Sequence, residues 1–486
     1  MVEQAHAPAA PQVRVPQVRS GRDPVGGGDL TILNPRDGST VGRVPMATRA
    51  DIDTAFERAR RAAPGWARTP ATERGAALRA AAAALRENVD NLAVLNARET
   101  GRPVAEAREG VTAGAGTLEQ YAELGPLHRG RSLVGDWSAT DLMVAEPRGV
   151  VVALTPWNDP VAVSCGIVGA ALTTGNTVLY KASERAPHTG ALFAEIVAAG
   201  LPEGVLNGLT GDGAVGAALA ADPRADVVAH VGGTATGDSI RQATAHTGAK
   251  ALLENGGNDP LIVDEGVDPE WAAHQAAIGS FANSGQICTS VERIYVHRAL
   301  ADRFVEALVA EAARRVPESA AAGEVELGPL VDRRHRDAVH AHVEQAVRAG
   351  ATRLIGGEMP DGPGAYYPAT VLTGCTPAMT VMREETFGPV AAVRVVDSFD
   401  QALDEAGDDR HGLAATVLTP SMEHAQRAWR ELRVGTVKVN AVFGGAPGGA
   451  AQPRGVSGQG FGYGPELLDE MTTVKVVHIE PAKHPG

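Results

Sequence analysis

Apolar positions recur along the chain at two different spacings. Ile52, Ala55 and Ala59 share one face of a 3.6-residue repeat, which predicts a helix over 51–63. Thr69-Pro70 then reads as an N-cap with proline at the first helical position. The Ala-Leu-Arg run behind it predicts a helix reaching Asn96 and ending before Gly101-Arg102-Pro103. Around Gly135-Asp136 the pattern changes: Ser132-Leu133-Val134 and Leu142-Met143-Val144 flank that turn like the arms of a hairpin. Beyond it, short apolar runs at 150–154, 177–180, 206–209 and 227–231 alternate with amphipathic stretches at 189–199 and 214–221. That rhythm predicts a parallel, doubly wound α/β sheet. A second series opens at Leu261-Ile262-Val263 and runs through 271–281, 293–297, 299–316, 337–349 and 391–396, predicting a second α/β domain. The last run, 471–479, is rich in β-branched residues and needs a partner strand. No internal repeat is visible. Order is expected from Leu30 onward, residues 1–24 read as a disordered or draped tail, and 444–449 reads as a Gly/Ala/Pro loop.

Length and composition narrow this picture. At roughly 100–200 residues per domain, a chain of 486 residues allows about two to four domains. Aromatic residues make up only 4%, with Ala and Gly abundant, which favours helix-rich α/β architecture. A net charge of −14 argues against nucleic acid or an anionic membrane as partner, since both require a basic field. Cys165, Cys288 and Cys375 are too few and too scattered for a disulfide framework or a zinc site, and they fit a reducing cytoplasm. No apolar run is long enough to predict a transmembrane helix, and the first 24 residues lack the apolar region of a secretory signal.

Three segments carry candidate chemistry. In Ser284-Gly285-Gln286-Ile287-Cys288-Thr289 a cysteine follows a glycine turn; near a helix N-terminus its thiolate form would be favoured. In Leu253-Glu254-Asn255-Gly256-Gly257 an acid ends an apolar stretch, where desolvation would suit it to general-base work near neutral pH. In Thr155-Pro156-Trp157-Asn158 an amide follows a predicted strand, a position from which it could stabilise an oxyanion. Each alone has a plain structural reading: a buried cysteine, a strand-end carboxylate, a turn asparagine.

Taken together and in order, these segments resemble the aldehyde dehydrogenase superfamily from about residue 30 to residue 478. The matching pieces are TPWN (155–158), GNTVLYKASE (175–184), GGTATG (232–237), LENGG (253–257), FANSGQICTS (281–290), REETFGPV (383–390) and GTVKVN (435–440). The resemblance implies that Cys288 attacks an aldehyde carbon to give a thiohemiacetal whose oxyanion is held by Asn158 and the Cys288 backbone N–H. Hydride loss to a nicotinamide then leaves a thioester, which Glu254 hydrolyses by activating water. It also implies a set of cofactor contacts: Thr155, Pro156 and Trp157; Lys181, Ser183 and Glu184 at the adenosine ribose; Gly213 and Gly216 at the adenine; Gly232, Gly233 and Thr236 at the pyrophosphate; and Asn255, Gly256, Glu385 and Phe387 toward the nicotinamide. A carboxylate at Glu184 favours NAD, while Ser183 beside Lys181 keeps NADP open. No metal is implied. The implied layout is a dinucleotide domain at 25–128 plus 148–253, a catalytic domain at 254–434, and an oligomerisation element at 129–147 plus 470–480. The C-terminal strand of that element would complete a neighbouring subunit's sheet in a homodimer or homotetramer.

Several positions depart from the family pattern. Ile167 and Gly462 stand where a lysine and a glutamate normally form a polar network behind the catalytic base. Asp159 replaces an aromatic or aliphatic residue, Ala451 replaces a phenylalanine, and Gly233 replaces a serine. The expected tunnel is lined by Asp159, Gly166, Ile287, Thr289, Ala451 and Arg454, with Arg454 as a candidate partner of Asp159 or an anchor for a carboxylate. A wide, acidic mouth would suit a polar aldehyde, either an aminoaldehyde or a semialdehyde. Two other readings are a CoA-acylating semialdehyde dehydrogenase, which would typically lack the acid at 254, and a catalytically weak structural or binding homologue.

Overall fold

The computed structural model describes residues 28–317, 325–445 and 449–482; the tail expected at 1–24 and part of the 444–449 loop lie outside the described residues. Two large sheets dominate. In the first, Val150–Thr155 and Thr177–Ala182 are buried at all six positions, in keeping with their mainly apolar sequences. Leu206–Leu209, Thr177–Ala182, Val150–Thr155, Val227–Val231 and Lys250–Glu254 lie side by side and parallel. Gly458–Gln459 adds an antiparallel edge to Lys250–Glu254. The chain lays its first strand, Val150–Thr155, in the middle, builds outward on one side, and returns to the other side with Val227–Val231. The carboxyl ends of these two strands therefore flank a switch point, where open α/β sheets leave a crevice.

The second sheet has the order Thr352–Ile355, Thr370–Thr373, Val390–Val396, Val291–His297, Asp259–Val263, Ala414–Leu418, Thr436–Val439. All its pairings are parallel except the first. The passage from one sheet to the other is the short stretch between Glu254 and Asp259, so the candidate acid sits at the junction. Helices pack on both faces of both sheets, giving the two doubly wound layers that the strand–helix rhythm predicts.

Three local expectations are corrected. The helix expected from Pro70 to Asn96 is two helices, Ala71–Glu87 and Val89–Thr100. Asn88 separates them: its backbone leaves the helical region, and its side-chain amide donates to the Ala84 carbonyl at 2.9 Å. Thr69 is not an N-cap. It closes the preceding helix, Arg49–Arg68, and its hydroxyl donates back to the Gly65 carbonyl at 3.2 Å. Finally, the C-terminal strand Thr472–Ile479 completes a sheet in its own chain. It pairs antiparallel with all of Thr140–Pro147, which in turn pairs with Arg131–Leu133. Val474, Val476 and Ile479 stay exposed on it.

Candidate active site

Cys288 lies in a turn between the helix Pro269–Phe281 and the strand Val291–His297. The expected helix N-terminus is therefore absent: the chain leaves the helix through Asn283 and Ser284, both left-handed at φ 46 and 57, and enters a strand after the thiol. Side-chain bonds fix this loop. The Ser284 hydroxyl donates to the Gly328 carbonyl at 2.6 Å, and the Gln286 side chain accepts from the Val331 N–H at 2.9 Å. The Asn158 side-chain amide donates to the Gln286 carbonyl at 3.1 Å, two residues before the thiol. Burial, reinforced by the carboxylates of Glu254, Asp259 and Glu385, pushes the Cys288 thiol up. Burial thus favours the neutral thiol of Cys288 over its thiolate.

A groove of about 660 Å³ opens at the switch point of the first sheet. Thr155, Pro156, Trp157, Lys181, Ser183, Glu184, Gly213, Gly216, Gly232, Gly233 and Thr236 all line it. Gly233 is the N-cap of the helix Thr234–Thr247 and offers no side chain to its free N–H groups, which leaves them to an anionic ligand. A Cβ at Gly232 would lie 2.7 Å from the His230 ring, so only glycine lets the backbone pass there. His230 is 8% exposed, both ring nitrogens lack a hydrogen-bond partner among the described residues, and burial lowers it to about 4. It is a neutral imidazole in the groove wall that the sequence reading did not single out. At the far end Trp157 meets Phe387 edge-on with ring centroids 5.7 Å apart. Glu385 lies over Gly256, where a Cβ would collide with it, and accepts from the Gly257 N–H at 3.0 Å. Burial pushes Glu385 up to about 7. Asn255 turns the other way, against Gly237, and donates to the Val456 carbonyl at 3.0 Å.

The sequence pattern of the aldehyde dehydrogenase family matches residues 24–477. The chain belongs to the aldehyde dehydrogenase family. Among solved structures, 3,6-anhydro-L-galactose dehydrogenase is 32% identical, with 94% of this chain and 98% of that chain covered and a TM-score of 0.90. Lactaldehyde dehydrogenase from Escherichia coli is also 32% identical, covering 94% and 96%, with a TM-score of 0.90. Betaine aldehyde dehydrogenase from Staphylococcus aureus, in complex with NAD+, is 28% identical, covering 96% and 94%, again with a TM-score of 0.90.

Within this aldehyde dehydrogenase the surroundings of Glu254 are distinctive. Its carboxyl borders a cavity of about 10 Å³, room for one water, walled by Ile167, Leu252, Phe461, Gly462 and Leu467. A Cβ at Gly462 would collide with Glu254 Oε1, so the carboxylate occupies the space over that glycine. No hydrogen bond reaches the carboxylate among the described residues, and burial alone raises it to about 7. The segment bearing Gly462 comes here because Gly458 pairs with Glu254 across the sheet edge.

The expected tunnel changes more. Asp159 pairs with Arg102 at 3.1 Å, not with Arg454, whose side chain is exposed beyond Gly412. Gly166 is buried inside its helix, and the space beside it holds Tyr463: a Cβ there would lie 2.8 Å from that ring. Ile287 and Thr289 flank the thiol, half-buried, and Ala451 is half-buried in the C-terminal loop. Arg102 and Tyr463 carried no sequence signal, because nothing local marks an arginine or tyrosine that reaches another element.

Proposed function

We propose that this enzyme oxidises an aldehyde to a carboxylic acid through a covalent adduct on Cys288, with Asn158 holding the oxyanion and Glu254 as base. The observation that carries this reading is the meeting of three elements at one point. The Asn158 side-chain amide donates to the Cys288 loop at the Gln286 carbonyl at 3.1 Å, a Cβ on Gly257 would lie 2.7 Å from the Cys288 carbonyl, and Glu385 accepts from the Gly257 N–H at 3.0 Å, so the Asn158 turn, the thiol loop and the stretch after Glu254 adjoin. With its ordinary value raised to about 7, Glu254 is half ionised at neutral pH, where a general base works best. It takes the proton as Cys288 adds to the aldehyde. After oxidation of the adduct to a thioester, and once Glu254 has released the thiol proton to solvent, it takes a second proton from the attacking water. The Cys288 backbone N–H and the Asn158 amide would hold the oxyanion in both steps.

The groove fits a dinucleotide: the uncapped helix at Gly233 suits a diphosphate, and the small residues Gly213 and Gly216 leave a flat wall for a base. NAD(P)+ held by Lys181, Glu184, Gly232, Gly233 and Glu385 would supply the hydride acceptor. Glu184 favours NAD over NADP. Glu254 supports water rather than CoA as the acyl acceptor. For the substrate, the Asp159–Arg102 pair removes the acidic mouth expected for an aminoaldehyde. The exposed Arg454 offers no nearby anchor for a semialdehyde carboxylate. A polar, uncharged hydroxyaldehyde fits best, in line with the relatives that act on lactaldehyde and 3,6-anhydro-L-galactose. The exposed edge bearing Val474, Val476 and Ile479 supports a homodimer or homotetramer, to be checked by light scattering. The three unpaired cysteines fit a cytoplasmic location. Absorbance at 340 nm with lactaldehyde, betaine aldehyde and succinic semialdehyde, each with NAD or NADP and with or without CoA, tests the set. Higher kcat/KM for lactaldehyde with NAD, unchanged by CoA, is expected; no turnover of any aldehyde would overturn the reading.

A further inference from the structure

Arg102 lies in the turn Gly101-Arg102-Pro103 between the helices Val89–Thr100 and Val104–Leu124. That turn is rigid. Gly101 is left-handed at φ 81, a Cβ there would lie 2.5 Å from Pro329, and Pro103 opens the next helix. From this base the guanidinium reaches across to the turn that follows Val150–Thr155. Its Nη1 donates to the Asn158 carbonyl at 3.0 Å and lies 3.1 Å from Asp159 Oδ1. Asp159 in turn fits only because residue 110 is glycine: a Cβ on Gly110 would lie 2.6 Å from the same Oδ1. Arg102, Gly110 and Asp159 therefore form one complementary set, on three different elements.

Asn158 is gripped at both ends. Its carbonyl receives Arg102 at 3.0 Å and the Asn283 amide at 3.4 Å. Its side-chain amide donates to the Gln286 carbonyl at 3.1 Å, and the Asn283 amide donates to that same carbonyl at 3.1 Å. One of the two Asn158 amide N–H groups is thus engaged, and one remains for a ligand. The strongest of these bonds is the charge-assisted one from Arg102.

We propose that Arg102 is a positioning residue for the oxyanion amide, and that Asp159 serves as its counter-ion rather than as a substrate contact. This rests on the reading of Asn158 given above. Asp159 steers the guanidinium, the guanidinium fixes the Asn158 carbonyl, and the turn then presents the free amide N–H toward the thiol. A misplacement of about 1 Å at such a group lowers turnover on the order of 100-fold. Substrate binding is not expected to depend on it, since the guanidinium is held between Asp159 at 3.1 Å and Glu106 at 4.0 Å.

The test compares R102M, R102K, the double variant R102M/D159N and N158A. The readouts are kcat and KM for the best aldehyde, melting temperature, and the rate of Cys288 alkylation by iodoacetamide. For R102M, kcat is expected to fall about 10- to 100-fold with KM within about threefold and alkylation unchanged. R102K, which keeps a donor and the charge, is expected to recover much of that loss. Removing Arg102 alone leaves Asp159 unpaired, so R102M also melts lower. The double variant is expected to regain melting temperature but not kcat. If the double variant regains kcat as well, or if R102M turns over like the wild type, the positioning role is wrong. If N158A keeps full kcat, the oxyanion reading itself fails.

Discussion

The groove at the switch point and the cavity behind Glu254 meet at one shared strand, Val227–Val231, yet they differ sharply. The groove, about 660 Å³, is walled by glycine backbone, charged side chains and an uncapped helix end. The cavity, about 10 Å³, is walled by Ile167, Leu252, Phe461 and Leu467. Strand alternation makes this possible. On Lys250–Glu254, Leu252 packs in one cluster with Ile167 and Leu467, while Leu253 packs in another with Val215 and Ile240. The large groove has glycine backbone and charged groups in its wall and room for a ligand. The small, largely apolar cavity borders one carboxyl and raises its proton affinity. Ile167 and Gly462 bring no charge behind Glu254, and desolvation alone raises it.

The largest test of the contrast is the thiol between the two regions. Cys288→Ala is expected to lower kcat by about 10⁴-fold or more while leaving cofactor binding intact, as measured by turnover and by Trp157 quenching. Next, Glu254→Gln is expected to lower steady-state turnover roughly 10²- to 10⁴-fold. It should abolish the inflection near pH 7, above which wild-type kcat is full and below which it falls. A matching stability effect follows from the sign of the shift. The folded carboxyl titrates near 7 and the unfolded one at 4.5, so wild type loses stability as pH rises between those values. The Gln variant is spared, and its advantage in unfolding free energy should grow from pH 5 to pH 8, up to roughly 3 kcal/mol, read from denaturant melts at each pH. No growth over that range would mean that Glu254 is not desolvated.

Smaller perturbations address each wall separately. Gly462→Ala places a Cβ against Glu254 Oε1, so kcat is expected to fall about tenfold and stability by roughly 1–3 kcal/mol. Ile167→Lys puts a cation beside the carboxyl and should move the pH inflection toward acid by about one unit or more, read from the kcat profile. An unmoved inflection would separate Ile167 from the base. On the groove side, Lys181→Met is expected to raise KM for NAD about tenfold and leave the pH inflection in place. A shifted inflection there would show that groove and cavity are coupled.

Local sequence determined the secondary structure wherever one force dominated. The buried strands Val150–Thr155 and Thr177–Ala182 were legible because most of their positions are apolar. The ordered motifs around Asn158, Glu254 and Cys288 were legible because their residue types and order follow a known pattern. Where two local signals competed, reading failed: Asn88 breaks a helix that propensity would continue, and Thr69 closes one helix rather than opening the next. What only the tertiary structure decided is which groups meet. The partner of Asp159 is Arg102, 57 positions earlier in sequence numbering, because a left-handed glycine turn and a cleft at Gly110 bring them to 3.1 Å. The neighbour of Gly166 is Tyr463, and the C-terminal strand finds its partner in its own chain. Sequence fixes what a residue can do chemically and how its backbone prefers to run. Charge pairing, close approach and desolvation depend on distances between remote segments, and these exist only once the chain has packed.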